Sequence, residues 1–92
     1  PGGFARMPFE LRQLRYAIAA ADMRSFARAA SAMNVKQATL SRRITDLEHS
    51  LGLKLFERTT RGAEPTISGS AFIEQARRLV TDADNLQTTV RN

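Results

Sequence analysis

Between Ser25 and Glu48 the apolar residues form two helical stripes with room for only a tight turn between them. The first stripe is Phe26, Ala29, Ala30 and Met33, and it closes at Asn34, a residue that tolerates left-handed backbone at a helix end. The second carries Leu40, Ile44, Leu47 and Leu51, spaced four, three and four, and Gly52 is a suitable stop behind it. This pattern is a short amphipathic helix, a turn and a second helix. Off its apolar stripe the second helix shows Gln37, Thr39, Ser41, Arg42 and Arg43. Amide, hydroxyl and guanidinium groups on one helix suit base edges in a DNA major groove, because they form the bidentate pairs that tell bases apart.

The flanking sequence extends this reading. A first helix is expected from Glu10 to Met23, with Leu11, Leu14, Ala17, Ile18 and Ala21 as its buried stripe. Ser25 suits the N-cap of the second helix. Between Leu55 and Ile67, Thr-rich flanks around Gly62 predict a short two-stranded hairpin, with Pro65 restricted to an edge. A fourth helix should start near Thr66 or Ser68 and run to about Val90. Its residues Phe72, Ala76, Leu79, Ala83, Leu86 and Val90 step alternately by four and three, an a/d heptad seam. A helix of about 25 residues reaches on the order of 37 Å, too far for so small a domain to cover. Phe72 and Ala76 are therefore expected to pack on the domain, and Leu79, Ala83, Leu86 and Val90 on a partner helix.

Composition agrees with a nucleic-acid partner and removes other classes. The 92 residues suit one small domain, and 14 Lys and Arg against 9 Asp and Glu leave a net charge of +5. Twelve of the basic residues are Arg, the side chain suited to bidentate recognition of phosphate or guanine. Lys36, Arg42, Arg43, Lys54, Arg58 and Arg61 cluster centrally, whereas the C-terminal stretch is charge-balanced. With no cysteine, neither a disulfide framework nor a thiolate zinc site can form. The single histidine, His49, lacks metal-ligand companions and reads as a surface residue. Asp82 and Asp84 point to different sides of a helix, and no Ser has a nearby His base, so catalysis has no support. No catalytic residue, metal or cofactor is expected. No apolar run approaches the roughly 18–20 residues of a membrane span, and a cytoplasmic location follows by default.

Taken together, these segments resemble the N-terminal winged helix-turn-helix and linker helix of LysR-type transcriptional regulators. The matching residues are Leu11-Arg12-Gln13-Leu14-Arg15-Tyr16, Ser25-Phe26-x-Arg28-Ala29-Ala30 and Leu40-Ser41-Arg42-x-Ile44-x-x-Leu47-Glu48. They continue through Leu51-Gly52-x-x-Leu55-Phe56-x-Arg58-x-x-Arg61 to Thr66-x-x-Gly69. The chain departs from that pattern at Arg24, where a turn Gly is usual, at Lys36, where a Ser or Thr cap is usual, at Ala38, and at Ala63 and Pro65 in the wing. Losing the hydroxyl cap at Lys36 should cost about 1 kcal/mol. It also sets a cation where the helix dipole prefers an anion, so Lys36 is either a phosphate contact or a solvated turn residue.

The resemblance implies a mainly α fold, three helices plus a short β-hairpin wing followed by a long linker helix. Residues 1–6 read as a vector-derived remnant or disordered tail with the natural start at Met7, 7–67 as the winged helix-turn-helix domain, and 68–92 as the linker and dimerisation helix. It implies sequence-specific binding of double-stranded DNA by a bacterial regulator, as a homodimer on an interrupted inverted repeat. The alternative is a non-specific architectural nucleic-acid binder. DNA-contacting residues are expected at Ser25, Lys36, Gln37, Ala38, Thr39, Ser41, Arg42, Arg43, Arg58 and Arg61. Gln37 suits adenine, Arg42 guanine or phosphate, and the methyls of Ala38 or Thr39 a thymine methyl. Arg43 touches phosphate or solvent. On the wing Arg61 is the residue expected in a minor groove, leaving Arg58 for backbone phosphate or for a salt bridge to Glu48 or Glu57. Any small-molecule effector would bind a C-terminal domain that these residues do not include.

Overall fold

A computed structural model describes residues 9–91, which leaves the reading of residues 1–6 outside the described part of the chain. The element order is α1 (Leu11–Met23), α2 (Phe26–Ala32), α3 (Gln37–Leu51), β1 (Phe56–Thr59), β2 (Gly62–Pro65) and α4 (Ile67–Arg91). All the expected elements form, each within about two residues of its expected limits.

Helix α1 buries Gln13, Leu14, Tyr16, Ala17 and Ala20, not the narrower stripe its periodicity suggested. Leu11 is exposed, and Ile18 and Ala21 lie at the margin of the core. The reason is that α1 is central: α2 and α3 pack on one side and α4 on the other, so its buried arc is wide. Gln13 joins this arc because its amide is used at both ends. Its Oε1 accepts the Glu10 amide at 2.7 Å and its Nε2 donates to the Arg43 carbonyl at 3.3 Å. After α1 the chain turns at Arg24, which takes left-handed backbone angles of φ 53° and ψ 34°. That conformation costs a non-glycine residue about 1–2 kcal/mol.

Ser25 caps α2 as expected, its Oγ accepting the Arg28 amide at 3.1 Å. The helix ends in a paired reversal, with Val35 N–H bonded to the Ala30 carbonyl at 2.9 Å and Asn34 N–H to that of Ser31 at 3.1 Å. Asn34 sits there at φ 60°. Helix α3 starts after Lys36, whose side chain makes no cap, and buries Leu40, Ile44 and Leu47. Gly52 ends it at φ 70°.

The next connection is held by two side chains. Glu48 Oε2 accepts the amides of Leu55 at 2.7 Å and Phe56 at 3.2 Å. Thr66 Oγ1 donates to the Lys54 carbonyl at 2.6 Å and accepts the Gly69 amide at 2.8 Å. Gly69 is required because a Cβ would collide with the Leu55 carbonyl. The hairpin is antiparallel, pairing Phe56 with Pro65, Glu57 with Glu64, Arg58 with Ala63 and Thr59 with Gly62. Pro65 stands in the last pair, where a missing donor matters least.

Helix α4 returns antiparallel along α1. Arg15 pairs with Asp84 at 2.7 Å, and one turn-pair further along, Arg77 pairs with Asp22. Val80 lies between these ion pairs and Ile73 and Ala76 just before them, all three packed on the core, while Phe72 meets the Phe9 ring edge-on at 6.2 Å. The single heptad seam is therefore two stripes. Ile73 and Val80 face the domain together with Ala76, because the helix needs a face for α1 as well as the seam. Leu79, Leu86 and Val90 stay 51%, 66% and 77% exposed, and Ala83 is half-buried between the two stripes.

Candidate nucleic-acid interface

The N-terminal half of α3 is held by its apolar stripe on the core, which turns Gln37, Ala38, Thr39 and Arg42 into solvent. Ala38 and Arg42 stand opposite Leu40, Ile44 and Leu47 on the helix circumference. Ser41 is half-buried because it turns toward the wing. There its Oγ accepts a hydrogen bond from Arg58 Nη2 at 2.6 Å.

That bond shows how the wing is joined to α3. The Arg58 guanidinium lies over the Phe26 ring, 4.5 Å from its centroid. Phe26 itself meets Phe56 edge-on at 5.4 Å. A cation–π contact and a hydrogen bond thus fix Arg58 between α2, α3 and β1. The expected rival, a salt bridge from Arg58 to Glu48 or Glu57, does not form. Glu48 is committed to the amides of Leu55 and Phe56, and the Phe26 ring draws the guanidinium the other way.

Arg61 occupies the tip of the wing, which Thr59 stiffens. Its Oγ1 accepts the Arg61 amide at 3.2 Å and donates to the Gly62 carbonyl at 3.3 Å. The Arg61 side chain is exposed and has no ion-pair partner among the described residues. Between wing, α2 and α3 lies an open cleft of about 300 Å³, lined by Ser25, Gln37, Arg58 and Arg61 among others. Four residues named from sequence thus meet around one concavity, with Ala38, Thr39 and Arg42 on the helix end beside it. Lys36 is exposed at the α3 cap.

Arg43 is not part of this cleft. Its guanidinium reaches Glu10 at 3.4 Å, at the start of α1. Sequence reasoning also missed contributors to the cleft: Phe26, which read only as core, and Thr59 and Thr60, which read only as turn formers. Periodicity marks Phe26 only as buried and cannot show that Arg58, 32 residues later in the sequence, stacks on its ring.

The chemistry available is donor-rich and cationic. Among the described residues, no three His, Asp or Glu side chains gather where they could hold a metal ion, and no helix is long and apolar enough to cross a membrane.

Comparison with known proteins decides the class. The profile of the bacterial regulatory helix-turn-helix proteins of the lysR family matches residues 11–70. The chain belongs to the LysR family. Its members are transcriptional regulators and not enzymes. The HTH-type transcriptional regulator TfdT of Cupriavidus pinatubonensis is 46% identical over 71 residues, covering 77% of this chain and 31% of TfdT. ClcR of Pseudomonas putida is 48% identical over 71 residues, again 77% of this chain and 24% of ClcR. The chain therefore spans only a quarter to a third of the length of these relatives. Among solved structures, the BenM DNA-binding domain in complex with catB site 1 DNA superposes with TM-score 0.86 at 36% identity, covering 90% of this chain and 93% of that one. The CbnR DNA-binding domain in its DNA complex gives 0.85 at 41% identity, covering 90% and 95%. As in these LysR domains, the fold here is a mainly helical winged helix-turn-helix.

Proposed function

We propose that this chain is the sequence-specific DNA-binding part of a bacterial LysR-type transcriptional regulator, acting on double-stranded DNA in the cytoplasm. The observation that carries the reading is the cleft. One wall is the exposed start of α3, the other is a wing tipped by a free Arg61, and Arg58 is fixed between them. Residues 7–67 form the DNA-binding unit, and 68–92 the linker and dimerisation helix.

Helix α3 enters the major groove, where Gln37, Ala38, Thr39 and Arg42 address base edges. Ser25, Lys36, Ser41 and Arg58 serve the phosphate backbone beside it, Arg58 already held in place by Phe26. Arg43, engaged with Glu10, contributes to the local positive field. Arg61 reaches an adjacent minor groove, where a narrow A·T-rich stretch concentrates negative potential. Two copies joined through Leu79, Ala83, Leu86 and Val90 of α4 read an interrupted inverted repeat. The remainder of the regulator carries any effector site.

Support for specific reading over architectural binding comes from relatives that are transcriptional regulators and from LysR DNA-binding domains solved with DNA, that of BenM with catB site 1 DNA. Selection from a randomised duplex pool, followed by titration of the selected and scrambled sites at one salt concentration, tests it. A preference of about 10³-fold or more is expected. Equal affinity for both duplexes refutes specific reading.

A further inference from the structure

The wing is tied to the turn between α1 and α2 by one residue, and that residue is an arginine in a backbone conformation that favours glycine. Arg24 stands at φ 53° and ψ 34°. Its carbonyl accepts the Ala63 amide at 3.1 Å. Its Nη1 donates to both carboxylate oxygens of Glu64, at 2.9 and 3.2 Å. Gly62 makes this approach possible, since a Cβ there would collide with the Arg24 carbonyl oxygen.

The hairpin register gives the side chain a purpose. Glu64 stands directly opposite Glu57, and like charges in a cross-strand pair weaken a two-stranded ribbon. The Arg24 guanidinium supplies the opposite charge. Glycine at this position would free the turn of strain and keep the carbonyl contact, but would leave Glu57 and Glu64 facing each other uncompensated. The strain has its counterpart only in what the arginine does for the wing.

Building on the minor-groove reading of the wing, we propose that Arg24 is a positioning residue. Through Glu64 it sets where the wing, and with it Arg61, stands beside α3, and so how strongly flanking DNA contributes to binding. Arg24 itself touches no base.

The test uses the whole chain and two duplexes that share the selected core but carry A·T-rich or G·C-rich flanks. Arg24→Asn keeps a residue that tolerates left-handed backbone and removes the guanidinium. Glu64→Gln breaks the same pair from the wing side. Each variant should reduce the A·T-flank preference by about two- to fivefold, the range an exposed ion pair supports, while binding to the G·C-flanked duplex stays within about twofold. The double variant should lose no more than either single one. Amide exchange at Ala63 should quicken in Arg24→Asn, and Arg24→Gly should melt no lower than the unmodified chain while still losing flank preference. Unchanged flank preference in Arg24→Asn and Glu64→Gln overturns the proposal alone. An unmodified chain without any flank preference overturns the minor-groove reading and this proposal together.

Discussion

The α3–wing cleft and the distal half of α4 are both exposed, and they are exposed in opposite ways. Around the cleft several side chains are held in place: Arg58 by Ser41 and the Phe26 ring, the wing tip by Thr59, and β2 by Arg24. On distal α4, Leu79, Leu86 and Val90 are largely exposed to solvent. An ordered polar surface has already lost much of its conformational freedom, which is the preparation a charged, shaped ligand requires. A bare apolar stripe has the reverse requirement, since water alone is a poor neighbour for it. In the function proposed above, the first region meets DNA and the second is covered by a second copy.

The largest effect should come from breaking the second region. Leu79→Asp combined with Leu86→Asp puts two charges on the seam and leaves Ile73, Ala76 and Val80 on α1 untouched. The expected product is a folded monomer that has lost the gain of two linked half-sites, about 10²–10⁴ in affinity for a full site. Sedimentation and binding to full and half sites measure both. If the unmodified chain is already a monomer at tens of micromolar, distal α4 is not a self-sufficient interface and the contrast between the regions fails.

Effects in the cleft should be smaller and selective. Gln37→Ala or Arg42→Ala is expected to cost about 1–3 kcal/mol on the preferred site and much less on random duplex. Equal losses on both would reduce these side chains to phosphate contacts. Smaller again, Arg61→Ala should lose several-fold more affinity on A·T-rich than on G·C-rich flanks, because the narrow groove concentrates the field. Equal loss on both flanks would take Arg61 out of the minor groove.

How legible each region was follows the same divide. Local rules hold wherever the partner is local: Ser25 caps α2, Asn34 and Gly52 end helices in left-handed backbone, and Leu40, Ile44 and Leu47 are buried as their spacing requires. The outward set Gln37, Ala38, Thr39 and Arg42 follows from the same periodicity. What periodicity cannot supply is which element arrives from elsewhere. The α1 stripe was placed too narrowly because α4 comes to cover a further side. The α4 seam was drawn as one stripe because Ile73 and Val80 face a helix some 60 residues earlier in sequence. For Arg58 the sequence offers backbone phosphate or a salt bridge to Glu48 or Glu57, whereas Phe26 and Ser41 reach it only through the tertiary fold. The Glu48 and Thr66-x-x-Gly69 signals were recognisable as a family pattern, and their cause, bonds to the Leu55 segment, needed the structure.

The smallest expected effect concerns the boundary between the two halves of α4. Two ion pairs, Arg77 with Asp22 and Arg15 with Asp84, fasten α4 to α1, and beyond Asp84 only the exposed stripe, which starts at Leu79, continues. The hydrogen bond from Arg77 holds the Asp22 carboxyl below its ordinary value of 3.8, and that from Arg15 does the same for Asp84. A carboxylate whose pKa is depressed by folding stabilises the folded state above its unfolded value and loses that contribution as pH falls through the folded one. The contribution is therefore whole at neutral pH, begins to fade as pH drops toward 3.8, and is gone only below the depressed values. Both pairs are largely exposed, so Asp22→Asn with Asp84→Asn should lower the melting temperature at pH 7 by only about a few degrees. The gap between variant and unmodified chain should narrow on acidification and shrink at high salt. Amide protection should fall in α4 near Arg77 to Asp84 and remain unchanged in α3. A variant that melts equally far below the unmodified chain at every pH would mean that the two aspartates act through packing and not charge, and that the end of the clamp does not mark where α4 leaves its own domain.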